Sequence, residues 1–216
     1  MQINAAIIHV PERDIATPLL QRVGSLTQSK IIFTDVQHKG AMWNHRRAIR
    51  WASMLPGYTM ILEDDAIASA HLAQHVNGLI EFMEENTDTS IGSLYYGQGA
   101  PTDAQPRMKA DYEQCKRDEN PDKYGNRYIR TNRLYHAVAY VMSQKTAKYL
   151  CSLMESAKYD TYTAVDLTIQ QTLPKDKREF VYCIPSPINH NPDMASTFVH
   201  MGARPTMPRV AYEFAK

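Results

Sequence analysis

The sequence predicts an α/β protein built on a mostly parallel sheet flanked by helices, and three observations carry that expectation. Short, nearly continuous apolar runs, the mark of strands buried on both faces, alternate with stretches of helical periodicity. Proline and glycine punctuate the changes between them. The length, 216 residues with 44% apolar and 22% charged side chains, suits one domain with its own core.

The elements follow in order. Ala5 to Val10, with Ile7, Ile8 and Val10, closes at Pro11 and reads as a buried strand. Thr17-Pro18 is expected to cap a helix with proline at its first position, and Leu19, Leu20, Val23 and Leu26 follow at helical spacing. Lys30 to Val36 is a second strand. Gly40 opens a helix with Trp43, Arg47 and Trp51 on one face and Met42, Ile49 and Leu55 toward another, ended by Pro56-Gly57. Tyr58 to Leu62 is a third strand and runs directly into Glu63-Asp64-Asp65. A helix through Leu72, Val76, Ile80 and Met83, a strand from Ile91 to Tyr96, a strand from Ala137 to Met142, a helix from Ser143 to Ala157 and a strand from Glu179 to Ile184 complete the regular part. Residues 98–133 break both periodicities and are expected to form a long loop or small subdomain. The last thirty residues read as irregular.

The net charge of +1 hides an asymmetry: residues 1–108 carry 8 basic and 11 acidic side chains, residues 109–216 carry 16 and 12. A polyanion-binding surface would therefore lie in the second half. Cys115, Cys151 and Cys183 are odd in number and widely spaced, which speaks against a disulfide framework or a zinc knuckle and fits a reducing cytoplasm. No basic region precedes the short apolar run near the N-terminus, and nowhere do 18 apolar residues run together, so neither a standard export signal nor a membrane-spanning segment is expected.

Three consecutive carboxylates at the carboxyl end of an apolar strand repel one another unless a cation neutralises them. In open α/β sheets that end of the strands is where ligands bind. Glu63-Asp64-Asp65 therefore points to a hard divalent ion, Mn²⁺ or Mg²⁺, shared with substrate phosphates. Alternation along an extended chain turns Glu63 and Asp65 one way and Asp64 the other. The plainer reading is that the acids cap a helix beginning near Ala66. Within Asn44-His45-Arg46-Arg47, Arg47 is the expected diphosphate partner because a guanidinium grips phosphate bidentately, while Arg46 and Arg50 read as solvated. His190 and His200 flank the segment after the last strand and are candidate metal ligands. Asp166 is a general-base candidate or a first-turn carboxylate, and His136 a substrate contact or a core histidine.

Taken together, the blocks Gly40-AMWNHRRAI, Tyr58-TMILEDDA, His136-AVAYVMSQKTAKYL, AVDLTIQQTL around Asp166, and Pro185-SPINH with Ser196 beyond resemble GT-A-type glycosyltransferases, in particular small LPS-type and bacteriophage-type members with an E/Q-D-D-A motif. The resemblance implies a GT-A-like, Rossmann-type fold and a metal-dependent, inverting transfer from a nucleotide sugar, most readily a UDP-sugar. It implies that Val10, Pro11 and Arg13 lie near the nucleotide, with Asn44, Arg47, Glu63 and Asp64 completing the donor site. Asp65 and His190 would hold the metal and Asp166 would be the base. The choice between Asp64 and Asp65 as principal ligand stays open, because the motif is EDD rather than DxD.

For the acceptor, Lys123-YGNRYIRTNR combines four basic residues with two tyrosines and no acid. Tyr128, Arg130 and Arg133, with His136, are the expected acceptor contacts, either to a hydroxymethylated pyrimidine in DNA or to a saccharide. A solvated basic loop is the plainer reading. A phage-encoded enzyme would act in the host cytoplasm, and no obligate protein partner is evident. A metal-dependent phosphodiesterase or nuclease is the competing enzyme class, and a non-catalytic binding module would leave the acid cluster without a purpose.

Overall fold

The computed structural model describes residues 1–99, 103–155, 164–191 and 209–215. Along the chain lie β1 (Ile3–His9), α1 (Thr17–Leu26), β2 (Ser29–Thr34), α2 (Ala41–Met54), β3 (Tyr58–Glu63), β4 (Ala66–Ala68), α3 (Leu72–Glu85) and β5 (Ile91–Ser93). Then come α4 (Gln105–Asp118), β6 (Arg127–Thr131), β7 (Ala139–Ser143), α5 (Gln144–Met154), α6 (Val165–Thr172), β8 (Phe180–Ile184) and β9 (Ile188–His190). Seven strands form one sheet in the order β2-β1-β3-β7-β5-β8-β6, and β4 with β9 forms a separate two-stranded sheet. Within the large sheet β1, β2, β3, β5 and β8 run one way, and β7 and β6 run against them. The mixed α/β architecture with a mostly parallel sheet is the one expected.

The core explains why the strand sequences read as unbroken apolar runs. Ala5 and Ile7 of β1 pack on one face with Leu19 and Val23 of α1 and Val76 and Leu79 of α3. Ala6 and Ile8 pack on the other with Met42 and Ile49 of α2, Leu150 of α5 and Ile169 of α6. Successive side chains leave a strand on opposite faces, so helices on both sides demand apolar residues at every position.

Two expectations need correction. Residues 98–133, expected as a long loop or small subdomain, contain α4, and their strand β6 joins the edge of the main sheet. The helix escaped notice because it buries only Met108, Tyr112 and Cys115, a stripe at positions i, i+4 and i+7 on an otherwise charged surface. At the start of α1 the N-cap position is Ala16, with no side-chain cap, and Thr17 is already helical beside Pro18.

The architecture gathers chain ends at one edge of the sheet. His9 and Thr34 end β1 and β2 there, Glu63 ends β3, and the Glu63 N–H donates to the Val138 carbonyl at 2.9 Å where β7 enters. Residues 209–215 return to the same edge as a strap. The Gln98 N–H donates to Val210 O at 2.8 Å, the Tyr212 N–H to Tyr96 O at 3.0 Å, and the Ser186 N–H to Glu213 O at 2.8 Å. Gly97 makes this seat possible: a Cβ there would lie 2.2 Å from Val210 O, a backbone atom that cannot swing away. Gly97→Ala is expected to cost about 1–3 kcal/mol by overpacking. Thermal unfolding should show a melting temperature lower by several degrees. Gly24→Ala in α1, whose added methyl meets only the movable Lys30 Nζ at 3.3 Å, should leave the melting temperature unchanged or raise it.

Candidate active site

The acid cluster is a turn between two strands. Glu63 ends β3, Asp64 and Asp65 form the turn, and β4 follows at once, pairing antiparallel with β9 so that Ala66 faces His190. This overturns the helix-cap reading of the acids, since Ala66–Ala68 is strand and α3 begins only at Leu72. The pairing brings His190 Nε2 to 3.1 Å from Asp65 Oδ2, and the Asn191 N–H donates to the Asp65 carbonyl at 2.8 Å.

The three acids have separate occupations. Asp64, 3% exposed, faces the segment after β1: His9 Nδ1 lies 3.0 Å away, the Val10 N–H donates at 2.9 Å and the Arg13 guanidinium at 2.8 Å. Both of its oxygens are engaged, so Asp64 is the clasp of the 9–13 segment. Asp65, 4% exposed, receives Arg13 at 3.0 Å on Oδ2 and leaves Oδ1 buried without a hydrogen bond. His190 is likewise buried, with neither ring nitrogen in a well-formed hydrogen bond. Buried polar atoms in folded proteins normally find partners, and orphans on two residues that lie side by side mark a place where a ligand could complete the set. A carboxylate oxygen and an imidazole nitrogen are a sound pair for Mn²⁺, and Mg²⁺ commonly takes only one or two protein ligands beside substrate phosphates. Among the described residues no group of three His, Cys, Asp or Glu side chains is arranged to hold a metal by itself.

Glu63 turns to α2. Its Oε1 lies 3.5 Å from Nε2 of the fully buried His45, whose Nδ1 is 2.9 Å from the Tyr140 hydroxyl with the two rings stacked. Burial pushes the Glu63 carboxyl up, but the His45 hydrogen bond and the charges of His45, Arg209 and His190 outweigh it and hold the group well below the usual carboxylate range. His136 packs edge-on against Tyr95, with Nε2 3.3 Å from the Gly97 carbonyl. Burial, with the charge of Arg209, pushes its pKa down to about 3, so the ring stays neutral.

Asp166 lies in the first turn of α6, where its Oδ1 accepts the Leu167 N–H at 2.8 Å. Its carboxyl is pushed up to about 6, chiefly by burial and further by the charge of Glu63, with Arg209 pulling the other way. Asp166, Glu63, His136 and Arg209 therefore share one electrostatic environment at the sheet's edge.

Other predicted residues fall elsewhere or are already engaged. Val10 and Pro11 sit in the clasped segment beside Arg13. Asn44 is buried, its amide donating to the Phe33 and His9 carbonyls, and so ties β1 to β2. Arg47 donates to the Thr34 carbonyl and to Asn44 Oδ1 while its guanidinium lies between the Phe33 and Trp43 rings, 4.9 and 4.6 Å from their centroids. It braces the outer end of the sheet rather than facing the acids. Tyr128 and Arg130, expected as acceptor contacts, lie on β6, the edge strand farthest from β2. The Tyr128 hydroxyl donates to Asp122, and Arg130 pairs with Asp88 and Glu179. Arg133 is exposed in the connection to β7. His200 and Ser196 lie outside the described residues.

Sequence reasoning missed His45 and Arg209. The signal for His45 existed, a lone histidine between Met42 and Ile49 on the apolar face of α2. Arg209 carried none, since the stretch around it has no periodicity.

The division of labour between adjacent acids predicts different costs. Asp64→Ala removes the carboxylate shared by half-buried His9, the Val10 N–H and Arg13, leaves Arg13 with Asp65 alone, and should destabilise the fold by about 1–3 kcal/mol. Asp65→Ala leaves Arg13 paired to Asp64 and should cost clearly less. Denaturant melts of the two variants at equal salt check the order.

Residues 54–169 match a family model described as "Glycosyltransferase family 25 (LPS biosynthesis protein)". The match covers the acid cluster, His136 and Asp166, and leaves Arg13, His190 and Arg209 outside. A search of curated proteins finds no match. Among solved structures, the crystal structure of A197 from STIV is similar over 88% of this chain and 84% of that one, at 11% identity and a TM-score of 0.49. No helix among the described residues is long and apolar enough to cross a membrane. A match that takes in more than half of the 216 residues, acid cluster included, makes this chain a member of glycosyltransferase family 25.

Proposed function

We propose that the protein moves a sugar from a nucleotide-sugar donor, a UDP-sugar first among them, to a saccharide hydroxyl by direct, inverting displacement, with Mn²⁺ or Mg²⁺ bound at Asp65 and His190. The observation that carries the reading is the buried Asp65–His190 pair with unsatisfied atoms, standing in the same charged edge as a carboxylate of raised pKa. A divalent ion there would supply positive charge against the leaving diphosphate. Asp64 and Arg13 hold the 9–13 segment as the wall of the donor site, and neutral His136 offers a polar contact without adding charge. Asp166 takes the proton of the acceptor hydroxyl as the new bond forms to the anomeric carbon and the bond to the diphosphate oxygen breaks.

A saccharide acceptor is favoured over DNA by the state of the basic segment. Lys123 pairs with Glu81 at 2.8 Å, Arg127 donates to the Glu119 carbonyl, and Arg130 is held by two acids. Cations already paired with carboxylates release few counterions, and a phosphate backbone finds little to bind. The "LPS biosynthesis" in the family description also agrees with a saccharide.

A panel of nucleotide sugars with Mn²⁺ should include one that raises the melting temperature of the wild type and leaves that of Asp65→Ala unchanged. With that donor, mass spectrometry of oligosaccharide acceptors should show one added sugar. Cleavage of nucleic acid without any donor would instead establish the phosphodiesterase reading.

The base assignment has its own signature. A group with a pKa near 6 loses its ionised form as pH falls through that value, so kcat should fall about tenfold per unit below it. Asp166→Asn should lower kcat by about 10²–10⁴ while leaving donor affinity near that of the wild type. Because the folded-state pKa is raised above the ordinary carboxylate value, ionisation of Asp166 opposes folding at neutral pH. The asparagine variant should therefore melt no lower than the wild type at pH 8.

A further inference from the structure

We propose that the C-terminal strap 209–215 is part of the donor site and that Arg209, carried at its leading end, grips the donor's diphosphate. The inference rests on the nucleotide-sugar reading above and names a residue that lies beyond the family match.

The strap is fixed where it meets the site. Besides its hydrogen bonds to Tyr96, Gln98 and Ser186, the Ala211 N–H donates to Asn189 Oδ1 at 2.9 Å, and Asn189 is the neighbour of His190 in β9. Arg209 thus stands two residues from a backbone group tied directly to the strand that carries the candidate metal ligand. Its stem lies across Gly99, a glycine with φ of 94°, where any side chain would bring its Cβ to 2.5 Å from Arg209 Cγ. Strap and glycine are shaped to each other, and the strap is further anchored on α4 by Tyr112 and Lys116 to Glu213 and by Tyr212 to Gln105.

The charges point the same way. Arg13 is committed to Asp64 and Asp65, and Arg47 to Thr34 and Asn44. Half-buried Arg209 has no carboxylate within ion-pair distance among the described residues, yet Glu63, His136 and Asp166 all feel its charge. An arginine fixed by its stem beside these groups and paired with no acid among the described residues can receive an external anion bidentately, and a diphosphate matches its fork.

Titration calorimetry on the full chain with Mn²⁺ and UDP, GDP and CDP, each beside its monophosphate, tests this. For the diphosphate that binds the wild type, Arg209→Gln should weaken binding by roughly tenfold or more and leave the matching monophosphate within about twofold. Arg209→Lys, which keeps the charge and loses the fork, should fall between the two and serves as the second variant if glutamine unsettles the strap. Equal diphosphate affinity in the wild type and Arg209→Gln would overturn the inference alone. So would an equal loss for mono- and diphosphate, which would mean that Arg209 only holds the strap. Failure of the wild type to bind any of the three diphosphates would overturn the nucleotide-sugar reading together with this one.

Discussion

The constraint on which the rest of the site depends is the burial of two adjacent carboxylates with one arginine between them. Asp64 and Asp65 are both nearly inaccessible and share the Arg13 guanidinium. Two buried anions beside each other are unfavourable by several kcal/mol unless charge and hydrogen bonds compensate them. Asp64 is compensated in full, by a guanidinium, an imidazole and a backbone amide. Asp65 is compensated in part. That difference turns one acid into a structural clasp and leaves the other as the place where a further cation is favourable.

The fold serves this arrangement. Parallel strands β1 and β3 lie side by side, so the residues after β1 and the turn after β3 emerge together, and Asp64 reaches back to Val10 without a long loop. The small β4–β9 sheet folds a late segment of chain against the same turn, which is how His190, more than a hundred residues downstream, arrives beside Asp65. β7 runs against its neighbours and therefore begins, rather than ends, at this edge, bringing His136 in with it. The residues of the candidate site come from several elements far apart in sequence, and the topology collects them.

Much of this was legible in the residues. The central strands are continuous apolar runs because helices cover both faces, and such runs leave little room for another reading. The acid cluster stood out because three carboxylates at a strand end are costly without a purpose. What stayed hidden was what depends on tertiary pairing. Strand β6 belongs to the sheet through its ladder with β8, with Tyr128 bound to the loop before it and no alternating pattern to announce it. Arg47 looked like a phosphate ligand because its neighbours in sequence suggested one; in space it is enclosed between Phe33 and Trp43. Nor could Asp64 and Asp65 be told apart from sequence, since only the fold decides which of them meets the end of β1.

Diffraction from crystals grown with Mn²⁺ and a nucleoside diphosphate, collected at the manganese edge, tests the central claim most directly. The account predicts an anomalous peak bonded to Asp65 and His190, with Asp64 still held by His9, Val10 and Arg13. A peak on Asp64 with the 9–13 segment released, or an ordered nucleotide with no metal at the turn, would contradict it.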